Sequence, residues 1–185
     1  GNDHNGGGGI LIEQDCKVII HETIFNACHT DHLVGGAAYI CKVRGTHDKN
    51  GGTFKDQQTK EADIQYCCFQ HCYGNKDDIY GVAMLVSAQV TILLYSSTTN
   101  CTTDVRAYGA QFDIQADNIT SLNTNTTGSY STYCGAIEYR DATKGKFMYQ
   151  TMTKNDCKYA TSFTSLTIDG MEISSCNYVN NTIRY

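Results

Sequence analysis

The residues best equipped for chemistry gather in one stretch: Arg106, Asp113, Asp117, Glu138, Arg140, Asp141 and Lys144. Acid and base groups on one sheet face are what polysaccharide cleavage needs, with two carboxylates about 5–9.5 Å apart to donate a proton and to act as base or nucleophile. Neighbouring strands supply that separation. The same residues on the outside of a sheet also make an ordinary solvated face, and that is the expectation here.

A second cluster is Cys28-His29-Thr30-Asp31-His32, with His21 shortly upstream. These are the donors zinc or copper would take. A closed site needs a fourth ligand and an oriented outer shell, and no Cys-x-x-Cys pair supports one, so the segment reads as an exposed polar turn. No metal or cofactor is expected. Four Asn-x-Ser/Thr acceptors occur, at Asn100, Asn118, Asn125 and Asn180. Asn and Thr are abundant enough for several to arise by chance; Asn125, in the polar segment 123–131, is the expected carrier of an N-glycan.

The elements that position these groups follow from composition and period. A chain of 185 residues, 41% hydrophobic and 18% charged, folds as one domain, 1–185. Its net charge of −5 and lack of like-charge runs argue against nucleic acid or an anionic membrane as partner. Apolar stretches such as Gly81 to Val86 and Val90 to Tyr95 are too short to span a bilayer as helices, so no membrane insertion is expected. The Gly-rich start has neither a basic nor an apolar leader region, and any signal peptide is expected to be gone already. Proline is absent, where about 5% is usual. A continuous sheet of central strands has that property, because each missing N–H would break a ladder bond.

A small-residue signature returns at Gly8, Gly36, Gly81, Gly109 and Gly135, in steps of 28, 45, 28 and 26 residues. The long step contains a polar stretch, Arg44 to Glu61, expected to loop out of the unit. Each unit carries a Gly-led strand, a second apolar strand and a Cys- or Asn-bearing corner. In the first strands Ala37 and Tyr39, Val82 and Met84, and Ala110 and Phe112 are expected to face inward. The fifth unit needs a one-residue shift, which turns Ile137 and Tyr139 in and Glu138 and Arg140 out. The expected architecture is all-β: a single-stranded parallel β-helix, or β-solenoid, of about six turns with one long inserted loop.

Stacking the corners predicts a buried thiol ladder of Cys28, Cys72, Cys101, Cys157 and Cys176. Cys16, Cys41, Cys67, Cys68 and Cys134 lie off it and are the better candidates for disulfides in an oxidising compartment. Cys67 and Cys68 must face opposite ways, so at most one is in the core. The cysteine count alone leaves the compartment open.

The alternation of Gly36-Ala37-Ala38-Tyr39 and Gly135-Ala136-Ile137-Glu138 with Phe25-Asn26-Ala27-Cys28 and Phe69-Gln70-His71-Cys72 resembles the repeats of polymorphic outer-membrane-protein-type right-handed β-helices, found also in large surface proteins of some protists. The resemblance covers residues 6 to 180, and the third and fourth units depart from it at the corner. It implies a passive, adhesive or self-associating surface protein and no catalytic residue. The β-helix is also a scaffold of sugar lyases and hydrolases, but their Asn-Thr-Asp, Gly-His-Gly and Arg-Ile-Lys motifs are missing here.

The expected function is therefore non-catalytic: an extracellular or cell-surface structural or adhesive protein. It stacks head to tail with itself into a fibre, or joins flanking repeats of a longer chain in a stalk. Two alternatives stand beside it. One is a carbohydrate-active β-helix, enzyme or sugar-binding module, using the Asp113 to Arg140 face. The other is an intracellular scaffold on a cytoskeletal filament, with reduced thiols and Arg44 to Glu61 as its docking loop.

Overall fold

The computed structural model describes residues 8–31, 35–42, 57–74, 80–103, 111–130, 136–157 and 163–183, with backbone alone for 163–168. Every element among them is a strand. The chain passes six times round one axis, and the passes stack in parallel as a β-solenoid of about five turns.

One column of strands forms a long sheet from Ile10–Glu13, Ala38–Cys41, Met84–Leu94, Phe112–Leu122, Ile137–Met148 and Phe163–Ser174. Lys17–His21 and Thr59–Gln65 complete its first two passes. A second column is a sheet of three-residue strands: Ile24–Asn26, Cys68–Gln70, Ser97–Thr99, Asn125–Thr127, Thr151–Thr153 and Asn177–Val179. The third is shorter still, with His29–Thr30 on Tyr73–Gly74, bridges through Thr102 and Tyr130, and Asp156–Cys157 on Thr182–Ile183. Within such a stack every interior N–H and C=O finds its partner on a neighbouring pass, which is where a proline would do damage.

Period-2 alternation fills the centre. Val18, Ile20, Phe25, Ile64, Phe69, Met84, Val86, Leu93, Phe112, Ile114, Ile137, Tyr139 and Phe147 form one buried core. Ile137 and Tyr139 face in and Glu138 and Arg140 face out, as the shifted fifth unit requires. Tyr39 differs from expectation. The register Ala38↔Met84 sets Gly35 opposite Gly81, both with positive φ, so Tyr39 lies in the outward column of Leu85. There it joins a second buried cluster with Cys41, Tyr80 and Leu85.

The expected insertion is also narrower than Arg44 to Glu61. Thr59, Lys60 and Glu61 belong to the long sheet, and the backbone of Lys42 donates to the carbonyl of Gln57 across 2.8 Å. The segment 43–56 lies outside the described residues.

Each pass turns between its three columns at two tight corners, both made by one residue in the left-handed region. The first corner uses Glu22, Tyr66, Tyr95, Asn123, Tyr149 and Ser175; the second uses Ala27, His71, Asn100, Gly128, Lys154 and Asn180. A single such residue reverses the pleat locally, which lets three short sheets close round a core one or two side chains thick.

Candidate functional site

The residue after each left-handed corner carries a side-chain group able to donate a hydrogen bond. At the first corner these are Thr23, Cys67, Ser96, Thr124, Gln150 and Cys176, and at the second Cys28, Cys72, Cys101, Ser129, Asn155 and Asn181. Their task is visible in the bonds. Thr23, Cys67, Ser96 and Cys176 donate to the carbonyl two residues back, at 2.8, 3.3, 2.9 and 3.3 Å. Cys28, Cys72 and Cys101 do the same with longer sulfur contacts of 3.9, 3.5 and 3.7 Å. Cys67, Cys72, Cys101, Cys176, Asn155 and Asn181 reach a carbonyl of the preceding pass as well. The carbonyls of Gln65, Gln70, Leu94, Thr99 and Ser174 each already accept a backbone N–H from the preceding pass, and the side chain after the corner adds a second donor to the same oxygen.

This geometry redistributes the predicted thiol ladder. Cys28, Cys72 and Cys101 sit in register on three adjacent passes, as the backbone bonds Tyr73 N to Cys28 O and Thr102 N to Cys72 O show. Cys157 lies in the third column, two residues past the corner donor Asn155. Cys176 stands at the other corner, in the column of Cys67. One spacing pattern hid two corners, because both want a small donor. Cys67 is buried and Cys68 half-exposed on the outer face; no disulfide joins two of the described cysteines, and Cys134 lies outside the described residues. Burial pushes the Cys28 and Cys67 thiols up. Cys72 is raised first by its neighbour Cys101 and then by burial, while the hydrogen bond from Cys72 pulls Cys101 down.

The charged cluster comes together on the outer face of the long sheet. Asp113 and Glu138 are partners on adjacent passes, as are Gln115 and Arg140. The guanidinium of Arg140 donates through Nε and one terminal nitrogen to the two oxygens of Asp113, at 2.9 and 2.8 Å, and lies 5.1 Å over the ring of Tyr80. Gln115 donates to Asp141 across 2.6 Å, and Gln58 to Asp117 across 3.1 Å. Asp113 is wholly buried; burial pushes its carboxyl up against the pull of Arg140, and the two-point contact is that of a carboxylate on a guanidinium. Burial, with Asp113 beside it, pushes Glu138 up to about 8. Lys144 is exposed opposite Asn118, and Arg106 lies outside the described residues. The arrangement is an ion pair in which Arg140 holds both oxygens of the buried Asp113, with Glu138 beside it on the adjacent pass.

The four sequon asparagines, Asn100, Asn118, Asn125 and Asn180, are all exposed. Asn100 and Asn180 are left-handed corner residues, and Asn118 follows the irregularity in the long sheet. Asn125 opens a strand of the short sheet rather than sitting in a loop. His29 stacks on Tyr73 with ring centroids 4.9 Å apart, His21 lies 3.4 Å from Asp63, and His32 is outside the described residues. No group of three metal-ligating side chains occurs among those described.

Sequence reading passed over the exposed face of the short sheet. Its two outward columns are Ile24, Cys68, Ser97, Asn125, Thr151, Asn177 and Asn26, Gln70, Thr99, Thr127, Thr153, Val179, without one charged side chain. Along its edge at the first corner stand Tyr66, Tyr95 and Tyr149, exposed by 54%, 50% and 52%. The signal was an aromatic directly before a corner donor, in Tyr66-Cys67, Tyr95-Ser96 and Tyr149-Gln150.

These features define a parallel β-solenoid whose corners are capped by side-chain donors. No family model, curated protein or solved structure matches the chain, so its function is argued from geometry.

Proposed function

We propose that this chain is a structural and adhesive surface protein of the polymorphic outer-membrane-protein repeat type, a rod that lengthens by adding parallel rungs. One observation carries the reading. On the last pass the side chains in core columns are half-exposed: Met171 45%, Ile173 42% and Tyr178 44%. Their columns end, at the opposite edge, on Val18, Ile20 and Phe25. At that opposite edge Val18, Ile20 and Phe25 are only 5–8% exposed, so a second copy docked head to tail must displace what covers them before Tyr178 lies over Phe25 as Phe69 does, with centroids 4.8 Å apart. Such a contact repeats without closing and makes a filament; flanking repeats of a longer chain would satisfy the same edge.

Two further observations support a passive role: Asp113 is enclosed, and Arg140 occupies both its oxygens. The test is light scattering and electron microscopy across a concentration series. Growth of mass with concentration, abolished by Ile173→Asp with Tyr178→Asp, supports stacking; a strict monomer at every concentration overturns it. The thiols of Cys67, Cys72 and Cys101, held as hydrogen-bond donors to carbonyls, favour a second reading, an intracellular scaffold. Native material with glycan at Asn100, Asn118 or Asn180 supports surface display, whereas unmodified asparagines and reactive thiols throughout support the scaffold.

A further inference from the structure

We propose that the uncharged face of the short sheet, with the tyrosines along its edge, binds a neutral oligosaccharide. This rests on the adhesive part of the reading above and not on the stacking part.

The face is rigid, because each of its three-residue strands is hydrogen-bonded on both sides in the interior passes and anchored beneath by a buried residue: Phe69, Thr98, Thr126 and Met152. Its chemistry is narrow. From the second to the fifth pass the outward positions are Cys68, Gln70, Ser97, Thr99, Asn125, Thr127, Thr151 and Thr153, all donors or acceptors without formal charge. They repeat about every 4.8 Å across strands and about 6.7 Å along them. In a chain of net charge −5, so large a charge-free patch does not attract an ion, and it does not repel an uncharged polymer.

The aromatic edge selects among neutral partners. Tyr66 and Tyr95 stack on each other, with centroids 5.0 Å apart and planes 4° from parallel. That contact uses one face of the Tyr95 ring and leaves the other toward Asn123 on the next pass. Tyr149 repeats the same left-handed position one pass further. Tyr95 and Tyr149 thus stand two rungs apart, about 9–10 Å, with the amide of Asn123 between them. A pyranose has an apolar face of C–H groups for an aromatic ring and a rim of hydroxyls for amides and alcohols. The edge offers the first contact and the sheet face the second. A folded protein partner would require a larger apolar centre than this face has.

Asn125 lies within the face and is itself a glycan acceptor, which makes the proposal sharply testable. Protein from a host that adds no N-glycan is applied to an array of neutral and acidic oligosaccharides, and hits are titrated by calorimetry. The expected result is binding to neutral members, weakened at least tenfold by Tyr95→Ala or Tyr149→Ala and unchanged by Tyr73→Ala, an exposed tyrosine of the third column. Circular dichroism checks that each variant is folded. Absence of neutral binding, or binding indifferent to Tyr95 and Tyr149, overturns the proposal. So does native material whose Asn125 already carries a glycan, because that glycan would cover the face. A monomer that binds sugar loses only the stacking reading; a fibre that binds none loses only this one.

Discussion

At the scale of the residue, the cysteines matter as donors. Cys72 is buried, and its thiol serves the carbonyls of Gln70 and Phe25, so its replacement separates size from hydrogen bonding. Cys72→Ser keeps a donor, as Ser96 does after the other corner, and should cost less than about 1 kcal/mol. Cys72→Ala removes both thiol contacts while the carbonyl of Gln70 keeps the backbone N–H of Ala27, and should cost about 0.5–1.5 kcal/mol more than Cys72→Ser; denaturant titration of the two variants checks the order. If a thiol ladder were valued only for its small apolar bulk, Ala would be the milder change. Glu138 gives a pH signature of its own. The native state keeps a proton up to about 8 that the unfolded chain releases at the ordinary value of 4.5, and so binds more protons between those limits. Stability should therefore fall as pH rises from about 4.5 to about 8 and then level off. Asp113 and Arg140 are the charged groups that act on that carboxyl. Denaturation midpoints across this range, with Glu138→Gln removing the decline, are the measurement.

At the scale of the element, twelve left-handed corners hold the three columns together, and eleven of them do so without glycine. A non-glycine residue there costs about 1–2 kcal/mol, tolerated because the corner lets both flanking strands stay in register. Lys154→Gly should be neutral or mildly stabilising, while Lys154→Val, β-branched at φ 56°, should destabilise clearly. Gly36 has a different need: a Cβ there would run into the carbonyl oxygen of Val82 on the next pass. Gly36→Ala should loosen the first passes and lower the thermal midpoint. The repeat, the all-β class and the inward pairs Met84, Phe112, Ile137 and Tyr139 were legible because stacking forces the same side-chain size to return once per pass. Tyr39 was not, because a Gly-Gly pair allows two registers that differ by one residue, and only the φ at Gly35 chooses between them. The corner donors were half legible: sulfur stood out, while Ser96, Asn155 and Asn181 did the same work in residues too common to mark a pattern. The aromatic edge was missed because its tyrosines are interrupted by Glu22, Asn123 and Ser175 at the same corner, so no period announced it.

At the scale of the whole molecule, a stack in which each pass touches only its neighbours has a stability that varies along its length. Interior passes gain two interfaces and terminal passes one, so opening begins at an edge and moves inward. The edges here are unequal. On the first pass Val18, Ile20 and Phe25 remain 5–8% exposed, whereas on the last pass Met171, Ile173 and Tyr178 are more than two-fifths exposed. Amide exchange should therefore be fastest at Asn177–Val179, slower at Ile24–Asn26 and slowest at Ser97–Thr99 and Asn125–Thr127 in dilute protein. Raising the concentration then distinguishes the origin of the gradient. Head-to-tail stacking buries the last pass and should slow exchange at Thr151–Thr153 and Asn177–Val179 selectively, with the interior unchanged. Ile173→Asp with Tyr178→Asp should hold the gradient fixed at every concentration. A gradient that ignores concentration in the unsubstituted protein would mean that the open rung is not covered by a second copy of this chain.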